Sequence, residues 1–78
     1  MIRFRLKELI ADREFNTRKK ITFEEISNAT GIHRTTLSKI ANLRGYNTTT
    51  DNLNKLCNFF ECPIANLIEH IADNDQNS

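Results

Sequence analysis

Between residues 34 and 42 the chain sets Arg34, Thr35, Ser38, Lys39 and Asn42 at spacings that share one side of a helix, away from Ile32, Leu37 and Ile40. That polar side is a set of hydrogen-bond donors and acceptors of the kind that suit base edges in a major groove. Arg and Lys match the paired acceptors of guanine, Ser and Thr bond several bases, and a Thr methyl can lie on thymine. Taken singly, each residue reads as part of a solvated surface; their concentration on one helix face carries the argument. Nothing beside them resembles catalytic machinery. The chain has no apparent nucleophile–base pair, Gly-rich phosphate loop or carboxylate cluster, and Ser38 lacks a nearby His, so the expectation is not an enzyme. No cofactor and no metal are expected either: Cys57 and Cys62 do not form a CxxC pair, and His33 and His70 do not join them at a zinc-finger spacing. Cys57 reads as a small core residue.

The elements that must position this face are legible around it. Thr22-Phe23-Glu24-Glu25 fits a capping box, in which the Thr hydroxyl bonds an orphan amide and the Glu three residues on reaches back. Ile26 points inward, small Ser27 admits a crossing helix, and Gly31 stands where a left-handed backbone must end the first helix. Thr22 to Asn42 therefore reads as helix, turn, helix.

Helix one is expected from about Ile2 to Glu14, burying Ile2, Leu6, Leu9 and Ile10. Phe4, Ala11 and Phe15 lie opposite that stripe. The favoured reading turns Phe15 inward at the helix end and sets Phe4 against the C-terminal helix; the alternative is a subunit interface. Asn16 to Lys20 is a polar, basic loop. Thr48 to Thr50 offer caps for helix four, which buries Leu53, Leu56, Cys57 and Phe60. Pro63 fits the start of helix five, whose stripe would be Ile64, Leu67, Ile68 and Ile71. Four large residues exceed what so small a core needs, which makes Ile68 and Ile71, together with Phe4, candidates for a dimer interface.

The 78 residues bound a single domain, expected over residues 1–72 with a disordered polar tail over 73–78. With no long apolar run and no secretory pattern, a cytoplasmic chain without a membrane partner is expected. Net charge is only +1, but it is unevenly spread. Residues 1–44 hold ten basic and five acidic side chains, a net of +5, whereas residues 45–78 hold Lys55 against five acids, a net of −4. The basic half is the half with the polar helix face, an arrangement suited to a polyanion.

Those residues carry a resemblance. The chain resembles the DNA-binding domains of the lambda repressor and Cro superfamily, found in many small bacterial and phage regulators. Residues 49–60 resemble that family's fourth helix, and residues 62–68 its turn into helix five. The resemblance implies an all-α fold of five helices over about residues 2 to 72, with the helix-turn-helix at helices two and three. This chain departs from the pattern at Thr30, where an apolar residue is usual, at His33, which replaces a Ser or Thr cap, and in the long segment from Glu14 to Ile21. The resemblance places Arg34 and Thr35 at the entering end of a recognition helix, with Lys39 a turn later; Thr36 and Ser38 are further base-contact candidates. Thr22, Phe23 through its amide, Arg44 and Asn47 match family positions near DNA phosphates. Arg18, Lys20 and His33 are added as phosphate neighbours. The implied partner is double-stranded DNA, bound by a homodimer, and the implied function is sequence-specific transcriptional regulation, most simply repression. The competing expectation is a protein-interaction module, such as an antitoxin or an accessory subunit of a larger complex.

Overall fold

In the computed structural model, which describes residues 1–73, the elements run β1 (Ile2–Phe4), α1 (Leu6–Thr17), α2 (Phe23–Thr30), α3 (Arg34–Asn42), α4 (Thr50–Phe60), α5 (Ile64–Leu67) and β2 (Ile68–His70). Every helix donates to one core: Leu6 from α1, Ile26 from α2, Leu37 and Ile40 from α3, Leu56 and Phe60 from α4, and Leu67 from α5, with Ile32 from the α2–α3 turn. Burying these stripes is what holds together helices too short to persist alone.

The first turn expected of helix one is strand instead. Ile2-Arg3-Phe4-Arg5-Leu6 alternates apolar and basic residues, which is a period of two as well as part of a helical stripe. The strand reading prevails because a partner exists. β1 pairs antiparallel with β2, matching Ile2 to His70, Arg3 to Glu69 and Phe4 to Ile68. The Arg5 amide donates to the Leu67 carbonyl (2.7 Å), and the Ile71 amide to the Met1 carbonyl (2.8 Å), extending the ladder at both ends. Arg3 crosses the strands to Glu69 (2.9 Å) and also pairs with the Glu8 carboxylate in the first turn of α1. Ile2 is consequently 41% exposed rather than core.

Helix five is likewise shorter than expected, a single turn. Ile68 continues as strand opposite Phe4, and Ile71 follows the ladder, so neither extends a helical stripe from Ile64 and Leu67. Phe4 meets this ribbon, not a C-terminal helix, and Phe15 does not turn inward: it is 80% exposed.

The first half of the long segment from Glu14 to Ile21 is helix. α1 runs on to Thr17, and Arg18 ends it in the left-handed conformation (φ 61°) with its amide on the Glu14 carbonyl. The Glu14 carboxylate then accepts from the Ile21 amide (2.8 Å), pinning the basic loop back against α1. Across the molecule Arg13 fastens α1 to the end of α4. Its Nη2 donates to the Phe59 carbonyl (3.1 Å), and its guanidinium lies over both the Phe59 and Phe60 rings. Cys57 and Cys62 are free and half-buried beside this junction, and burial, with Cys62 as neighbour, pushes the Cys57 thiol up.

Asp73, expected in the polar tail, accepts from the Met1 ammonium (2.8 Å); residues 74–78 lie outside the described residues. Among the described residues no helix is long and apolar enough to cross a membrane.

Candidate nucleic-acid interface

Thr22 is the N-cap of α2, in extended conformation, with its Oγ1 accepting from the Glu25 amide (3.1 Å). Only this half of the capping box forms among the described residues; no bond returns from the Thr22 amide to the Glu25 side chain. The Thr22 hydroxyl therefore keeps its proton for another acceptor. Helix geometry leaves the Phe23 and Glu24 amides without intrahelical acceptors.

At the other end, Gly31 adopts φ 81° and donates its amide to the Ser27 carbonyl (2.8 Å). Thr30 explains its own departure from the apolar pattern. Its Oγ1 donates to the Ile26 carbonyl (2.7 Å) and accepts from the Ile32 amide (3.2 Å), so the hydroxyl bridges the helix end to the turn. Ile32 then buries itself and fixes the entry of α3. His33 occupies the N-cap of α3 without a side-chain capping bond, and its ring is exposed.

Leu37 and Ile40 lock α3 to the core, which leaves Arg34, Thr35 and Lys39 exposed and Ser38 half-exposed on the far side. These four line one open concavity with Thr22, Phe23 and Glu24 of α2. The structure thus joins six of the expected residues on one surface. Thr36, half-buried, does not line it. Asn42 closes the α3 C-terminus by donating to the Ser38 carbonyl (3.0 Å).

The remaining candidates stand around this surface rather than in it. Arg44 lines a separate cavity of about 270 Å³ between the α3–α4 loop, β1 and α1, together with Arg3 and Lys7. Asn47 is exposed shortly before α4. Thr49 proves to be the α4 N-cap, its Oγ1 accepting from the Asn52 amide (3.1 Å), while Thr48 Oγ1 accepts from the Asn52 side chain (3.0 Å). Arg18 and Lys20 are exposed on the loop leading into α2.

Sequence reasoning missed Glu24 and Lys7. Both are exposed charges, Glu24 read only within the capping box of α2 and Lys7 on a helix read for its apolar stripe. A first-turn acid such as Glu24 is ordinarily assigned to the helix dipole, which hid its place on the concavity.

Two helices joined at a glycine turn, the second turning a polar face outward beside the N-terminus of the first, define the helix-turn-helix class. The narrower assignment follows from comparison. The family model for the Cro/C1-type HTH DNA-binding domain matches residues 5–73, and the chain belongs to that family. The family is one of DNA-binding domains, and that function attaches to this chain with it. No curated protein and no solved structure gives a match.

Proposed function

We propose that the chain is a sequence-specific regulator of transcription, acting in the cytoplasm on double-stranded DNA and most simply as a repressor. In this reading α3 enters the major groove, Arg34 binds a guanine in bidentate fashion, and Thr35, Ser38 and Lys39 complete the base contacts, with Thr36 at their margin. Thr22, the Phe23 amide, Arg18, Lys20, His33, Arg44 and Asn47 hold the phosphates that set register. The observation that carries the reading is the single concavity shared by the outer face of α3 and the N-terminus of α2. Nine residues of α3 span about 13 Å, a length that fits within one groove.

A two-fold homodimer would present two such helices about 34 Å apart to a palindromic operator. Phe4, Ile68 and Ile71 are its interface candidates. Phe4 faces Ile68 across the ribbon, and Ile71 follows at the strand end.

The test is a fluorescence-anisotropy titration against the best duplex recovered from a random-sequence library and against its scrambled counterpart. Arg34→Ala is expected to weaken the selected duplex by about ten- to a hundredfold, with little change on the scrambled one and unchanged helicity by circular dichroism. Equal affinity of the wild type for both duplexes would overturn the proposal.

One observation favours a second reading, in which the chain is an antitoxin or accessory subunit. Phe15, 80% exposed near the end of α1, is a large apolar side chain that the fold does not use. A stable heteromer that survives purification and dissociates on Phe15→Ser substitution would support it.

A further inference from the structure

Glu24 is an acid on the very surface proposed to meet a polyanion. It lines the concavity with Arg34 and Lys39, yet among the described residues it forms no ion pair with either. Its presence is not required by the helix it stands on. Thr22 already caps α2, and Glu25, also in the first turn, serves the dipole equally well from outside the concavity.

We infer that Glu24 sets the specificity of DNA binding by opposing the sequence-independent part of it. The inference rests on the DNA-binding reading of this surface and adds a residue that works against affinity. In a non-specific complex Arg34 and Lys39 have no bases to engage, so they stay at the phosphates, and Glu24 beside them subtracts from their attraction. In the specific complex the same two cations are drawn onto base edges, and a smaller share of the binding energy passes through the charge balance at the mouth of the concavity. The acid therefore penalises the wrong sequence more than the right one, which is how a repulsive element serves discrimination.

The experiment compares Glu24→Gln with Glu25→Gln, the same charge change on the same turn but away from the concavity. Both are titrated against the library-selected duplex and its scrambled counterpart, with circular dichroism to confirm the fold. Glu24→Gln is expected to tighten the scrambled duplex by about fivefold, the effect of one unit charge acting at contact distance through water, and to tighten the selected duplex by less. The ratio between the two duplexes then narrows, while Glu25→Gln leaves it in place. Equal gains on both duplexes would make Glu24 a general repulsive charge and overturn the inference. Loss of affinity for the selected duplex would overturn it too, making Glu24 a direct acceptor from a cytosine or adenine amino group. If the wild type discriminates between the duplexes, either failure leaves the regulator reading intact; if the wild type does not discriminate, both fall together.

Discussion

Among the described residues, two that are not glycine sit in the left-handed backbone region that glycine occupies most cheaply, Arg18 at φ 61° and Glu61 at φ 53°. Each ends a helix, α1 and α4, where an αL residue lets the next amide close the last turn. Glu61 contributes no ion pair or side-chain hydrogen bond among the described residues, so its conformational cost is uncompensated. Glu61→Gly is expected to stabilise the domain by about 1 kcal/mol, read as a rise of roughly 4–8 °C in Tm. An unchanged or lower Tm would mean that the glycine's extra freedom in the unfolded chain outweighs the relief. At Arg18 the same strain coincides with an exposed charge in the basic loop. The polar side of α3 was readable residue by residue because helical spacing alone separates it from Leu37 and Ile40. Glu24 was not, since whether an exposed residue of one helix shares a surface with the next depends on the crossing angle between them.

At the level of elements, the two ends of the fold show where local pattern stops being informative. Ile2, Leu6 and Leu9 fit a helix, Ile2, Phe4 and Leu6 fit a strand, and no window around them decides between the two. The decision comes from Ile68 to His70, far along the chain, which offer a ladder to pair with. The same pairing truncates α5, whose pattern was equally ambiguous. α2, α3 and α4 were legible because caps and a glycine turn, all local signals, mark their ends. Arg3 makes the ribbon part of the domain by binding Glu69 on β2 and Glu8 on α1. Burial would raise the Glu8 carboxyl, but the Arg3 hydrogen bond, its own backbone amide and the charges of Arg3 and Arg5 outweigh that and hold it below its ordinary value. A carboxyl lowered in the folded state stabilises above its unfolded value, about 4.3, and that contribution is lost as pH falls through the folded value. Arg3→Ala is thus expected to lower urea stability at pH 7, with the deficit shrinking below about pH 4. A deficit constant over that range would show that Arg3 acts through packing alone.

For the whole molecule, a net charge of +1 conceals two oppositely charged halves, and DNA affinity should follow the local charge near the contact surface. Arg18, Lys20 and Arg44 are the cations assigned to phosphates in the proposed complex. If all three engage, the plot of log affinity against log salt should have a slope of about −3 per subunit. A slope near zero would mean that phosphate contacts contribute little and would count against the proposed register of the complex. A slope near twice that value for one palindromic site would indicate two subunits bound together.

The ribbon has a further consequence, and it concerns the order in which the chain is made. Arg3 and Glu69 are 66 residues apart in sequence. At cellular rates of about 5–20 residues per second, β1 is synthesised roughly 3–13 s before β2 and emerges from the ribosome ahead of it by the same interval. Through that interval β1 has no partner for its backbone groups, and the core lacks Leu67, which enters on the residue before β2. The helix-turn-helix can assemble early from neighbouring segments, whereas the contacts that complete the domain must wait for nearly the last residues of the fold. The interval leaves an unpaired strand bearing Ile2 and Phe4 open to other nascent chains, and the alternating arginines at positions 3 and 5 place charge where strand-to-strand association would otherwise begin.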